Sequence, residues 1–103
     1  MNLEEMGKFK DISLLILISL AEEDKHGYAI MEDLKSNFSI ELGAGTLYGA
    51  ISRLEKNNLI KPVITEDRKI PYKITEEGKK LLSFQLEHIN KIISTGKSRL
   101  RLT

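Results

Sequence analysis

The chain contains no cysteine. Disulfides, thiolate metal sites and thiol nucleophiles are therefore excluded, and a reducing cytoplasm, the expected location, is tolerated. Only two histidines are present. His26 has no cluster of carboxylate or cysteine partners around it, so it reads as a turn or capping residue rather than a ligand or base. No paired carboxylates stand at a recognisable catalytic spacing, and Gly43-Ala44-Gly45 is too short for a phosphate loop. We therefore expect no enzyme, no metal and no cofactor. Long apolar runs are also missing. The stretch Leu14 to Leu20 is interrupted by Ser19 and falls far below the roughly 20 residues that cross a bilayer. Glu4, Glu5 and Asp11 precede it where a signal peptide carries basic residues, so neither a membrane partner nor a leader is expected. The two prolines, Pro62 and Pro71, sit in apolar stretches that they mark as short or edge strands.

What remains is 103 residues with a net charge of +1. That length suits one domain with a small core, for which a partner subunit would be a welcome addition. The small net charge hides an uneven distribution. Residues 1 to 42 hold four Lys/Arg against nine Asp/Glu, whereas residues 43 to 75 and 76 to 103 each hold six against three. An acidic first part and a basic remainder turn one face toward something anionic.

The stretch from Gly43 to Lys61 organises the rest. Leu47, Ala50, Ile51 and Leu54 fall at helical spacing and gather on one side of a helix. Tyr48, Gly49, Ser52 and Lys56 lie roughly opposite, with Thr46 and Arg53 on one flank. Donors dominate that face. A short helix with small residues before it and a donor-rich outer face is what the major groove of DNA admits. The same pattern also fits an ordinary amphipathic surface helix, so the flanking segments must decide.

Before this stretch, Lys8 to Ala21 reads as a helix whose Leu14, Leu15, Ile16, Leu17 and Ile18 point all round its axis. Such a helix needs two surfaces to cover it, and a second copy of the protein supplies one; a central core helix in a monomer is the alternative. Ile30, Leu34 and Phe38 repeat every four residues in a second helix after His26-Gly27. Ser39 to Leu42 alternates polar and apolar, a weak strand signal. After the organising helix, Leu59 to Thr65 and Ile70 to Thr75 read as two short strands joined by the charged turn Glu66-Asp67-Arg68-Lys69. A hairpin in this place is a wing that lies along phosphates, with Arg68 and Lys69 as the contacts and Tyr72 and Lys73 behind them. An ordinary solvated turn is the plainer reading of the same residues. Thr75 is the expected N-cap of a last helix with Glu76 and Glu77 in its first turn. Along it Leu82, Leu86, Ile89, Ile93, Gly96 and Leu100 form a coiled-coil stripe suited to a partner subunit. The basic tail Lys97-Ser98-Arg99-Leu100-Arg101 is expected to fray.

In their order, these motifs resemble the PadR family of bacterial and archaeal transcriptional regulators. They are His26-Gly27-Tyr28, Gly45-Thr46-Leu47-Tyr48, Arg53-Leu54-Glu55, Leu59-Ile60 and Tyr72 through Gly78, and the resemblance covers roughly residues 9 to 82. The resemblance implies a winged helix-turn-helix, a homodimer formed through the first and last helices, and repression of a nearby gene relieved by a small molecule. Residue by residue it assigns DNA contacts to Thr46, Tyr48, Ser52, Arg53 and Lys56 and to the wing residues Arg68 and Lys69. Tyr48 matches a family tyrosine that faces the DNA backbone. Gly49 stands where the family often has proline, Gly43-Ala44 where a Ser-Pro type start is common, and the indole pair of some members has no counterpart because tryptophan is absent.

The expected protein is thus mainly α with a small β-hairpin wing. Residues 1 to 75 form a winged helix-turn-helix and residues 76 to 103 a dimerisation helix. Leu14, Leu15, Ile18, Leu82, Leu86, Ile89, Ile93 and Leu100 are the expected dimer interface. Partners are a double-stranded operator, read as an inverted repeat by two recognition helices, and an apolar or aromatic effector between the subunits. A winged-helix module that binds protein rather than DNA is the alternative, supported by the net charge near zero.

Overall fold

The computed structural model describes residues 11–64, 66 and 70–101. Its elements are α1 (Ile12–Glu22), α2 (Gly27–Phe38), α3 (Ala44–Lys56), β1 (Ile60–Pro62), β2 (Tyr72–Ile74) and α4 (Glu76–Arg99). Helix α1 is the centre of the molecule, in contact with α2, α3, α4 and β2. This explains its apolar residues on every side. Ile16 and Leu17 are fully covered by the chain itself, and Leu14 and Leu15, expected at a subunit contact, are already only 3% and 4% exposed in the single protomer. Burying each such side chain contributes roughly 1.5 to 3 kcal/mol. Helices α2 and α3 add Ile30, Leu34, Leu47, Ala50, Ile51 and Leu54 to the same core.

The ends of the helices are set locally. Asp11 caps α1 through a hydrogen bond accepted from the Leu14 N–H at 3.1 Å, so this helix begins at Ile12; Lys8 to Lys10 of the expected helix lie outside the described residues. Ser39, in the left-handed region at φ 56°, closes α2, and the Ser39 and Ile40 amides both turn back onto the Leu34 carbonyl. Residues 39 to 42 are consequently a connection and not the expected strand. Their alternation records only that Ile40 is buried and its neighbours are exposed. Asn58, at φ 61°, ends α3, and the Leu59 amide donates to the Leu54 carbonyl at 2.9 Å.

The hairpin pairs β1 and β2 antiparallel, with Ile60 opposite Ile74, Lys61 opposite Lys73 and Pro62 opposite Tyr72. Both strands are shorter than the sequence suggests because their inner positions, Ile60 and Ile74, are the only ones buried against the helices. The hairpin gains a third backbone partner that its own sequence does not announce. Lys25, between α1 and α2, pairs with Tyr72 through bonds of 3.1 and 2.8 Å. This holds the start of β2 to the helical core.

Helix α4 starts as expected. Thr75 Oγ1 accepts from the Gly78 amide at 3.0 Å and donates to the Asn58 carbonyl at 2.8 Å, joining the helix start to the end of α3. Gly78 lies against Leu59, where a Cβ would fall 2.2 Å from the carbonyl oxygen. Leu82 is buried and Ile89 is half-buried, but residues 90 to 100 are exposed throughout. The helix runs to Arg99, so the basic tail expected to fray is helical for most of its length. Three helices, a hairpin and a projecting terminal helix make a winged helix-turn-helix with an added arm.

Candidate nucleic-acid interface

Helix α3 is pinned by its apolar side. Leu47, Ala50, Ile51 and Leu54 are each 4% exposed or less, while Thr46, Ser52, Arg53 and Lys56 are exposed and Tyr48 is 46% exposed. All five residues expected to meet DNA on this helix therefore stand on its solvent side. Arg68 and Lys69, expected at the wing tip, lie outside the described residues. Tyr48 leans toward the start of α2, where it meets Gly27, and with Tyr28, Tyr72, Ile70 and His26 it lines a cleft of about 410 Å³. His26 occupies the N-cap position of α2 but makes no side-chain cap bond.

Two features escaped the sequence reading. Lys61 and Lys73 face each other across the hairpin and are both exposed. Like charges placed directly opposite destabilise a strand pair, so this arrangement favours an anion that lies over both. The pairing of residues 61 and 73 follows from the register, which the sequence signals only through the burial of Ile60 and Ile74. The second is Lys25. It lies in a polar link, yet it is only 8% exposed. Its Nζ donates to the Ser19 carbonyl and pairs with Glu22 at 3.1 Å and Asp33 at 3.9 Å. The Ser19 hydroxyl, the Asn37 amide and the Lys25 ammonium hold the Asp33 carboxyl below its ordinary range, against the opposing effect of burial. Ser19 Oγ makes no hydrogen bond of full geometry, so it acts on Asp33 as a nearby dipole.

The expected interface residues divide by burial. Leu14, Leu15 and Leu82 are core, Ile18 and Ile89 are half-buried, and Leu86, Ile93 and Leu100 are exposed. Between α1 and α4 runs an apolar groove of about 560 Å³, with Leu14, Leu15 and Ile18 on one side and Leu86, Ile89 and Ile93 on the other. Phe38 and Ile92 extend it. Leu100 lies beyond its end. Among the described residues no group of three His, Cys, Asp or Glu is placed to hold a metal ion, and no helix is long and apolar enough to cross a membrane.

The sequence profile of the transcriptional regulator PadR-like family matches residues 16–83. The chain belongs to this family. The matched span runs from the middle of α1 through the hairpin to the first turns of α4, the region that carries both the core and the exposed face of α3. A PadR family transcription regulator from hypervirulent Clostridium difficile is similar in structure, with a TM-score of 0.79 and 29% identity over 86% of this chain and 97% of that one. A transcriptional regulator from Clostridium thermocellum is 33% identical, with a TM-score of 0.70 over 81% of this chain and 89% of that one. An uncharacterized 37.1 kDa protein in transposon TN4556 of Streptomyces fradiae is 39% identical over 72 residues, which are 70% of this chain; the match spans 21% of that protein's length. The PadR-like family and these two structural relatives are transcription regulators.

Proposed function

We propose that this chain is a dimeric DNA-binding repressor of a nearby promoter, relieved by a small molecule. Residues 1 to 75 act as the DNA-binding unit and residues 76 to 103 as the dimerisation arm. The observation that carries the reading is the division of α3 into a side held by the core and a side that offers Thr46, Tyr48, Ser52, Arg53 and Lys56 to solvent. A helix fixed in this way enters a major groove without reorganising. Arg68 and Lys69 of the wing reach the flanking phosphates, which set the register of the protein on the duplex.

A second copy covers the groove between α1 and α4. Ile18, Leu86, Ile89 and Ile93 meet the partner, Leu14, Leu15 and Leu82 form the floor beneath them, and Leu100 extends the contact along the arm. Support comes from the projecting half of α4, whose large apolar side chains Ile92, Ile93 and Leu100 are left exposed in the protomer. An apolar or aromatic effector lodges in what remains of this groove between subunits. Two α3 helices related by a dyad read an inverted repeat with half-sites about 34 Å apart or a multiple of that distance.

Fluorescence anisotropy with the DNA upstream of the chain's own gene and with a scrambled duplex, at two salt concentrations, tests the reading. Tighter binding to the native fragment that weakens as salt rises is expected. Equal and salt-independent binding would sink it and would direct attention to a protein partner. For the effector, apolar and aromatic compounds should raise the melting temperature of the dimer, and a screen without any shift would remove that part of the proposal.

A further inference from the structure

Lys25 is a buried ammonium that the DNA-binding reading leaves without a task. It follows the exposed Glu22, Glu23 and Asp24 in the link between α1 and α2, yet its side chain is only 7% exposed. Taking an ammonium out of water is costly, and a methionine of the same length would fill the slot without that cost. What the ammonium adds is direction. Its Nζ donates to the Ser19 carbonyl of α1 and pairs with Glu22 of α1 at 3.1 Å and Asp33 of α2 at 3.9 Å, so one side chain is tied to both helices. Its backbone is tied to the hairpin. The Lys25 amide donates to the Tyr72 carbonyl at 3.1 Å, and the Tyr72 amide donates to the Lys25 carbonyl at 2.8 Å.

A hairpin of two three-residue strands does not hold its own position. This one is fixed at two points. At one end of the ladder Ile60 and Ile74 are buried in the core, and at the other Tyr72 is paired with Pro62 on one side and with Lys25 on the other. Lys61 and Lys73 stand on the rung between. We propose that Lys25 is a positioning residue for DNA binding, which sets the angle of the hairpin against α3 through its ties to α1 and α2 without touching DNA. The inference rests on the DNA-binding reading above and deepens it. Without the bonds of the ammonium the link is free to shift, and the hairpin pivots about Ile60 and Ile74, carrying the cations of the wing off the phosphates.

Amide hydrogen exchange of the full chain, read by NMR, tests the geometry. In Lys25→Met the amides of Tyr72 and Val63, which donate to residues 25 and 71, should exchange about tenfold faster, the weight of one charge-assisted hydrogen bond, while those of Ala50 and Ile51 in α3 keep their wild-type rates. Anisotropy with a generic duplex at low salt tests the consequence, since phosphate contacts carry no sequence information. Lys25→Met should bind about threefold to tenfold more weakly and with a shallower salt slope, although the lysine is too buried to neutralise a phosphate itself. Asp33→Asn, which removes one partner of the ammonium, should move the same amides in the same direction by less, and it carries the test if Lys25→Met does not fold. Exchange that rises equally in α3 and in the hairpin, with a lower melting temperature, would mean that Lys25 only supports the fold and would overturn the proposal. So would hairpin amides at wild-type rates. Faster hairpin exchange with duplex affinity and salt slope unchanged would also overturn it while the DNA reading stands. A wild-type protein that binds no duplex at low salt would remove the DNA reading and this inference together.

Discussion

The Tyr48 phenol lies so close over Gly27 that a Cβ on the glycine would come within 2.4 Å of the hydroxyl oxygen and 2.7 Å of the ring. The glycine that opens α2 and the tyrosine in α3 are thus two halves of one arrangement. The glycine's missing side chain is the space in which the tyrosine sits.

Gly27→Ala should therefore act on DNA binding more than on folding. The clashing group is the far end of a side chain that is half exposed, so Tyr48 can swing into solvent, and alanine is the better helix former by roughly 0.5 to 1 kcal/mol. We expect duplex affinity to fall about threefold to tenfold, the loss of roughly one hydrogen bond. The melting temperature should move by no more than a few degrees. Anisotropy and a thermal melt on the same preparation check both halves.

Gly78→Ala should do the reverse. Here the obstacle is the Leu59 carbonyl oxygen at 2.2 Å, which is backbone, with Ile74 Cγ1 at 2.8 Å behind it. Neither α4 nor the turn after α3 can yield cheaply, because Thr75 bonds to both. Overpacking of this kind costs about 1 to 3 kcal/mol. At roughly 4 to 8 °C per kcal/mol for a domain of this size, the melting temperature should drop clearly at fixed protein concentration. An unchanged melt would mean that the contact between α4 and Leu59 is loose in solution.

Lys61→Ala and Lys73→Ala should have effects of opposite sign on stability and binding. Removing either member of the facing pair relieves repulsion across the hairpin and leaves the protein equally or slightly more stable. Each should reduce the slope of log affinity against log salt by roughly 0.9 per protomer, or about 1.8 for the dimer, if its charge neutralises one phosphate. Slopes equal to wild type would assign the pair no role in DNA binding.

Asp33 links folding to pH. Its carboxyl is held low in the folded protein, so the stability it contributes is present above the unfolded carboxylate range of about 4. That contribution is lost as pH falls through the folded value. Asp33→Asn should be less stable than wild type in urea near neutral pH, with Lys25 left short of a counter-charge, and the gap should close as the pH falls below the ordinary carboxylate range. A gap that is constant with pH would show that the carboxylate charge contributes nothing.

Ile93→Asp addresses the arm. Ile93 is 48% exposed in the protomer, so the charge costs little within one chain. Facing an apolar partner it would be buried without a counter-ion, which is strongly unfavourable. Sedimentation should show wild-type dimers and mutant monomers at equal concentration. Identical sedimentation would place the subunit contact elsewhere or remove it.

Much of this molecule was legible from residue order alone. The helical spacing of Leu47, Ala50, Ile51 and Leu54 predicts which side of α3 is buried, because a helix turns its side chains through fixed angles. Thr75 was readable as a cap because capping joins residues only three apart. Tertiary structure decided the rest. Residues 39 to 42 had the alternation of a strand but, among the described residues, no neighbour to pair with, whereas Lys25, in a loop, found Tyr72 and became the hairpin's third partner. Helix α1 is apolar on every side chiefly because four elements of its own chain surround it, a fact about packing that no periodicity within the helix reveals. The gathering of Tyr28, Tyr48 and Tyr72 into one cleft and the opposition of Lys61 to Lys73 have the same origin. Local pattern reports what a residue does within its own turn or strand, whereas contacts between residues distant in sequence exist only once the core has chosen which surfaces meet.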